Sequence, residues 1–331
     1  MIMILSAMIT ILISNMRSRM STGRLLALLL AVTLVLAACG TETGADSDRP
    51  LVVATTSIWG DVVGQIVGED ADVEVLIPRG ADSHDYEPTS RQVALLQEAD
   101  LVVANGLGLE EGLVDILESA AADGANILEV APLVDPIPFA DHDHDHEEDA
   151  AHDRGDLDPH VWFDLTRVEI AVGHIAQQLG DVDDSVDWAA RAAEYSAELL
   201  RADEDASAIL EIVTPGDRRM VTNHEALGYF ADRYDFEIIG VVIPGGSTLA
   251  DPSSSELAAL VEEMQHEGVD TIFAETSSPT RLAEAVAAET GGEVVVVELF
   301  TESLGEPGSE AGTLIDLVLT NSRLVAEALT R

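Results

Sequence analysis

Short runs of small and β-branched apolar residues recur along this chain, and each is followed by a stretch with helical spacing. Leu51-Val-Val-Ala54 and Leu101-Val-Val-Ala104 are the clearest pair. A strand followed by a helix and then another strand in the same sheet forces a parallel arrangement, so this alternation constrains the fold more than any other feature. It predicts strands over 51–56, 73–77, 101–104 and 126–130, and helices over 58–68, from a cap at Thr89 to about Ala99, and over 110–122. Between Ala131 and Pro159 four prolines and many acids break the pattern. A helix is expected over 166–179, and then one continuous helical pattern over 185–213, of ~43 Å at the usual rise. The alternation resumes with strands over 219–222, 237–243, 271–274 and 294–299. Helices are expected over 225–234, 254–267, 280–289 and 312–330. The expected fold is α/β: two βα lobes with mostly parallel sheets, 50–183 and 215–331, joined by one long backbone helix, 184–214.

Composition narrows the function. The chain has 331 residues, 62 acids and 16 basic residues, all of them Arg, for a formal net charge of -46. Such a chain is repelled by nucleic acid, which excludes that class of partner, whereas metal ions and basic surfaces are favoured. Most of the acids are read as a solvated, repulsive surface. The 47% hydrophobic content supports extensive cores, and a single cysteine provides no internal disulfide.

The first acid is Glu42. Before it, Arg17, Arg19 and Arg24 precede an apolar run from Leu25 to Ala38, the pattern of an export signal. The run ends Leu36-Ala-Ala-Cys39-Gly40, which resembles the lipobox of bacterial lipoproteins and makes Cys39 the candidate lipidated residue, with 1–38 removed. A transmembrane anchor with an incidental cysteine is the competing reading, but 14 residues are short for a span. The apolar stretch Met1 to Ser14 is either a second hydrophobic segment or a consequence of a true start at Met16 or Met20. Residues 39–49 read as a flexible tether.

Open α/β sheets bind ligands at the carboxyl ends of their strands. Metal-ligating residue types fall there at four places: His84, His160 just before a helix, His224 and Glu302. Two come from each half, so a cleft between lobes can close on one ion. Neutral imidazoles suit zinc when their other nitrogen is held by an acceptor. Taken singly, each histidine is more often an ordinary surface or core residue; their joint placement argues for a site.

The segments Asp82-Ser-His-Asp-Tyr-Glu-Pro88, Asp158-Pro-His-Val-Trp162, Thr222-Asn-His-Glu-Ala226 and Phe300-Thr-Glu-Ser303 resemble the metal-site motifs of the zinc and manganese ABC-transporter solute-binding lipoproteins. The resemblance runs from Leu51 to Arg331 in the same order. It implies two similar lobes on a rigid helix with the ion between them, and His84, His160, His224 and Glu302 as ligands. It further implies a non-enzymatic, extracytoplasmic, lipid-anchored monomer that hands its ion to a membrane permease. In the family the third ligand is His in zinc-type members and commonly Glu in manganese-type ones, so His224 implies Zn2+, with Mn2+ as the alternative. The fourth is usually Asp, so Glu302 is a departure that changes the bite or leaves that place to water. Glu275 resembles a family acid near the site and is expected to support a ligand rather than ligate.

The tract Asp141-His-Asp-His-Asp-His-Glu-Glu-Asp-Ala-Ala-His152, within a loop at 139–157, places His142, His144, His146 and His152 together as accessory weak metal binders. Its alternative reading is an inert acidic loop. His174, His266 and the three tryptophans are read as surface or packing residues, and Pro244-Gly-Gly-Ser-Thr248 as a turn, since it lacks the Lys of a phosphate-binding loop. A less favoured function is an extracytoplasmic zinc-dependent hydrolase with an activated water; a surface adhesin has no residue in its support.

Overall fold

The computed structural model describes residues 49–139, 157–291 and 294–331. The expected signal segment, Cys39, all of the tether except Arg49, and the Asp-His tract lie outside the described residues. Within these, eight strands and nine α-helices alternate. In the first half β1 (Leu51–Ala54), β2 (Asp72–Val75), β3 (Leu101–Ala104) and β4 (Ile127–Glu129) pair in parallel in the order β2-β1-β3-β4. Helices α1 (Ser57–Val67), α2 (Ser90–Glu98) and α3 (Val114–Ala122) connect them. After α4 (Leu165–Val182) and α5 (Trp188–Leu210), the second half repeats the plan. There β5 (Arg219–Thr222), β6 (Glu237–Val241), β7 (Thr271–Glu275) and β8 (Val295–Leu299) run parallel in the order β6-β5-β7-β8. Helices α6 (Gly228–Tyr234), α7 (Ser254–Glu267) and α8 (Arg281–Glu289) connect them, and α9 (Leu314–Leu329) ends the chain. The two-lobe α/β architecture expected from the sequence is therefore the one observed.

The central strands β1 and β3 read as continuous apolar runs because both faces of the sheet are covered there. Alternate side chains divide between two cores: Val52, Ala54, Leu101 and Val103 face one, Val53, Val102 and Ala104 the other. The second sheet divides likewise, with Met220, Phe273 and Leu299 on one side and Val221, Ile272 and Ala274 on the other. The first core is continuous through both lobes, and α5 is its spine. Tyr195, Leu199, Ala202, Ala206 and Leu210 recur at three- and four-residue intervals along the buried stripe of α5, which packs on α1, α4 and α9. Burying each leucine stabilises the fold by about 1.5–3 kcal/mol.

The long helix is shorter than the sequence pattern suggests: 23 residues, about 35 Å. Asp187 caps it by accepting from the N–H of Ala190, while Asp183 turns the chain by accepting from the N–H of Ser185. Two further departures lie next to the cluster described below. The helix expected over 110–122 opens with a 3-10 turn, Glu111–Leu113, because the Glu110 carboxylate folds back onto the N–H groups of Asn105 and Gly106. The helix expected from 225 begins only at Gly228, since a turn that donates from Ala226 N–H to the His224 carbonyl intervenes.

Candidate metal centre

Three of the four predicted residues arrive by local devices that the sequence displays. In Asp82-Ser-His84 the Asp82 Oδ1 accepts from the backbone N–H of His84 at 2.9 Å. In Asp158-Pro-His160 the Asp158 Oδ1 does the same for His160 at 2.9 Å and also holds its ring Nδ1 at 2.7 Å. His224 stands two residues beyond β5, where Thr222 Oγ1 donates to the His224 carbonyl at 2.8 Å. Carboxylates commonly close such Asx turns, and here they aim the histidine that follows.

Glu302 is delivered differently. It lies beyond β8 on a loop of the second lobe that the first lobe grips. Ser83 Oγ donates to the Glu302 carbonyl at 3.1 Å, and Trp162 Nε1 to the Thr301 carbonyl at 3.0 Å. Arg79 Nη1 donates to the Gly305 and Gly312 carbonyls at 2.5 and 2.8 Å. Gly80 N–H donates to Ser303 Oγ at 2.7 Å, and Leu304 N–H to Ser57 Oγ at 3.1 Å.

His84, His160, His224 and Glu302 are all buried, and one donor atom of each lies within 4.8 Å of those of the others. Nε2 of His160 is 3.4 Å from that of His84 and 3.3 Å from that of His224. The Glu302 carboxylate faces the same point: Oε1 is 3.4 Å from His160 Nε2 and 3.6 Å from His224 Nε2, and Oε2 is 3.7 Å from His84 Nε2. In a tetrahedron with metal–nitrogen bonds of 2.0–2.1 Å, donors stand about 3.3–3.4 Å apart. Both Glu302 oxygens are buried without a hydrogen-bond partner. An anion in that position requires a cation. Three neutral imidazoles and one carboxylate around a divalent ion leave a net charge of +1, so the donor set fits such an ion. An open concavity of ≈ 520 Å³ near Pro215 and Arg218 holds none of the four residues.

Electrostatics point the same way. Burial works against a charged His160, yet Asp158 and Glu302 outweigh it and raise its pKa to about 10. For His224, burial is likewise overcome, mainly by Glu275, and the pKa rises. Burial would raise Glu302, but His160, then His84 and His224, bring it down to about 2.

Glu275, the last residue of β7, hydrogen-bonds His224 Nδ1 through Oε1, behind the ring rather than among the converging donors. Trp162 packs edge-on to His160 at 5.3 Å between ring centres, while Trp59 Nε1 donates to Asn105 Oδ1 at 2.8 Å. His174 is half-buried and His266 exposed. His266 lies with Glu263 and Glu267 on α7, where Glu267 pairs with Arg219 at 2.6 Å.

Two features escaped the sequence reading. Glu111 Oε1 stands 3.5 Å from His84 Nδ1; the signal was a pair of acids just past β3, at the point where the strand order reverses. The segment read as a simple turn, 244–248, reaches across to the first lobe, where Thr248 Oγ1 donates to Asp82 Oδ2 at 2.6 Å. Gly246 lies against Phe139 so closely that a Cβ there would meet the ring at 2.1 Å. Among the described residues no helix is long and apolar enough to cross a membrane.

Residues 52–328 match the family described as zinc-uptake complex component A, periplasmic. The manganese-binding lipoprotein MntA of Halalkalibacterium halodurans is 28% identical over 298 residues, 88% of this chain and 94% of that one. The zinc-binding protein TroA of Treponema pallidum is 28% identical over 300 residues, 89% and 93% of the two chains. Among solved structures, the periplasmic zinc-binding TroA superposes with a TM-score of 0.75 at 28% identity, covering 86% of this chain and 100% of that one. The Mn-bound periplasmic metal-binding protein from Candidatus Liberibacter asiaticus gives 0.72 at 26% identity, covering 85% and 100%. A match across nearly the whole folded region, with a buried three-histidine and glutamate cluster between the lobes, establishes that this chain belongs to the periplasmic zinc-uptake component A family of metal ABC-transporter solute-binding proteins.

Proposed function

We propose that this protein captures zinc through His84, His160, His224 and Glu302 and releases it to the permease of an ABC importer. The observation that carries the choice of ion is the convergence of Nε2 atoms at 3.3 and 3.4 Å around a buried, unpartnered carboxylate. That spacing and three imidazoles suit zinc, whereas manganese prefers more oxygen donors. A manganese reading draws on the two Glu302 oxygens that face the imidazoles, since a bidentate carboxylate adds an oxygen, and on the manganese-binding names of some relatives. A hydrolase needs an open coordination position; here a carboxylate completes a closed set, which favours binding over catalysis.

In this reading residues 50–183 and 215–331 are the two lobes that hold the ion, 184–214 the connector, and Cys39 the lipidated residue that tethers a monomer outside the cytoplasmic membrane. His142, His144, His146 and His152 add weak accessory sites, and Glu275 steadies His224. Direct competition between Zn2+ and Mn2+ for the metal-free protein, read by calorimetry with metal analysis of the product, tests the assignment. One equivalent of zinc bound at least ~100-fold more tightly than manganese is expected. Tighter binding of manganese would overturn the choice of ion, and retention of tight binding by His84→Ala, His160→Ala and His224→Ala would overturn the site.

A further inference from the structure

The three imidazoles are not held alike. A ring that binds a metal through Nε2 must carry its proton on Nδ1, and a buried N–H requires an acceptor. His160 has Asp158 and His224 has Glu275 for this purpose. His84 Nδ1 is buried and has no hydrogen-bond partner. Asp82, placed before His84 as Asp158 is before His160, has both oxygens engaged, one by the His84 backbone N–H and the other by Thr248. The carboxylate opposite Nδ1 is that of Glu111, at 3.5 Å, beyond the reach of a formed N–H···O bond.

We propose that Glu111 is the positioning residue of His84, closing onto Nδ1–H when a metal ion occupies Nε2 and fixing the tautomer and plane of the ring. This rests on the metal-centre reading above. The backbone of Glu111 is already set. Glu110 before it is anchored through its carboxylate to Thr55 Oγ1 at 2.5 Å and Asn105 N–H at 2.8 Å. Gly112 after it lies against the loop that carries His84, where a Cβ would stand 2.3 Å from the Tyr86 carbonyl oxygen. Only the side chain, 40% exposed, has room to swing. Ser247, on the second-lobe loop that also ties Asp82, faces the same carboxylate. Glu111, like Asp158 and Glu275, lies in the same half of the chain as the ring it faces, but its carboxylate is shared with a serine of the other lobe.

The test compares Glu111→Ala, Glu111→Gln and His84→Ala with the parent protein. Zinc affinity is read by chelator competition, and the His84 tautomer by nitrogen-15 NMR of the zinc-loaded proteins. Glu111→Ala is expected to weaken zinc binding about 10–100-fold, the usual effect of losing such an acceptor, with the metal-free melting temperature unchanged and the His84 Nδ1–H resonance shifted. Glu111→Gln keeps an acceptor oxygen and is expected to restore affinity to within about threefold of the parent. An alanine variant that binds zinc like the parent, or a glutamine variant as weak as alanine, would overturn the role of Glu111. His84→Ala is the separate check: its loss of tight binding upholds the metal centre even if Glu111 proves silent, while normal binding by it would sink the centre itself.

Discussion

The two lobes share one sheet order and differ in how they present side chains to the space between them. The second lobe mounts His224 two residues past β5 and Glu275 on the last residue of β7, so the sheet itself positions both. The first lobe carries His84 and His160 on loops, each aimed by an aspartate two residues earlier. Glu302 belongs to the second lobe by sequence, yet Ser83 holds its carbonyl, and Ser57, Arg79, Gly80 and Trp162 hold the loop around it, all from the first half. A parallel sheet supplies a fixed position only to residues at the strand end. Farther along the chain that precision comes from hydrogen bonds within the loop or across the lobes.

The comparison breaks first at the ligands. In the reading proposed above, His160→Ala and His224→Ala should each weaken zinc binding on the order of a thousandfold, since each removes one of four proposed donors. Chelator competition measures this, and equal loss in both would show that loop-borne and strand-borne histidines serve equally once the site is closed. Glu302→Asp comes next. The shorter side chain withdraws the carboxylate by about 1.5 Å, and a loop gripped by the other lobe is not free to follow. We expect a loss of ~10–100-fold, and full recovery would mean that the grip is looser than the hydrogen bonds suggest.

The pH dependence follows from His160, raised from 6.5 to about 10, and Glu302, lowered from 4.5 to about 2. Without metal, their mutual stabilisation is complete between pH 4.5 and 6.5. Above pH 6.5 it declines as the unfolded chain gives up the imidazole proton while the folded protein keeps it up to about 10. Below pH 4.5 it declines as the unfolded carboxylate takes up a proton while the folded one resists down to about 2. Metal must displace the His160 proton, so apparent zinc affinity should rise about tenfold per pH unit for each proton released as pH climbs from 6 to 8. The gap between metal-bound and metal-free melting temperatures should widen over the same range. Calorimetry in buffers of different ionisation enthalpy counts the protons, and a flat profile would contradict the electrostatics.

Smaller effects probe the contacts between lobes. Arg79→Ala frees the Gly305 and Gly312 carbonyls and should raise the zinc dissociation rate about 5–10-fold, with the four donors untouched. Thr248→Val removes one partly buried hydrogen bond to Asp82 and should cost about 1 kcal/mol or less, visible as a lower melting temperature with affinity within about threefold.

Much of this was legible in the chain because its causes are local. Strand cores such as Leu101-Val-Val-Ala104, the Thr89 cap with its reciprocal Gln92 partner, and the repeated Asp-x-His turn at 82–84 and 158–160 all act within a few residues. The overlong reading of α5 came from continuous helical composition that Asp183 and Asp187 interrupt through their own side-chain bonds. Glu110 and Glu111 show the limit. They are adjacent and identical in type, yet one is buried against Thr55 and Asn105 and the other faces His84, and no local pattern separates them.

By itself the sequence determined the two parallel lobes, the Asp-x-His turns of the first lobe, the histidine just past β5 and an excess of acid that favours cations. Each follows from period, turn chemistry or net charge, which act over short range or sum over the whole chain. The resemblance named Glu302 and Glu275, but only the tertiary structure put Glu302 against the three rings and Glu275 behind His224, and it alone brought Glu111 and Thr248 into the same neighbourhood. The Glu275–His224 and Thr248–Asp82 pairings join residues 51 and 166 positions apart. Their geometry exists only after the buried spine of α5 has brought two separately wound sheets to face each other.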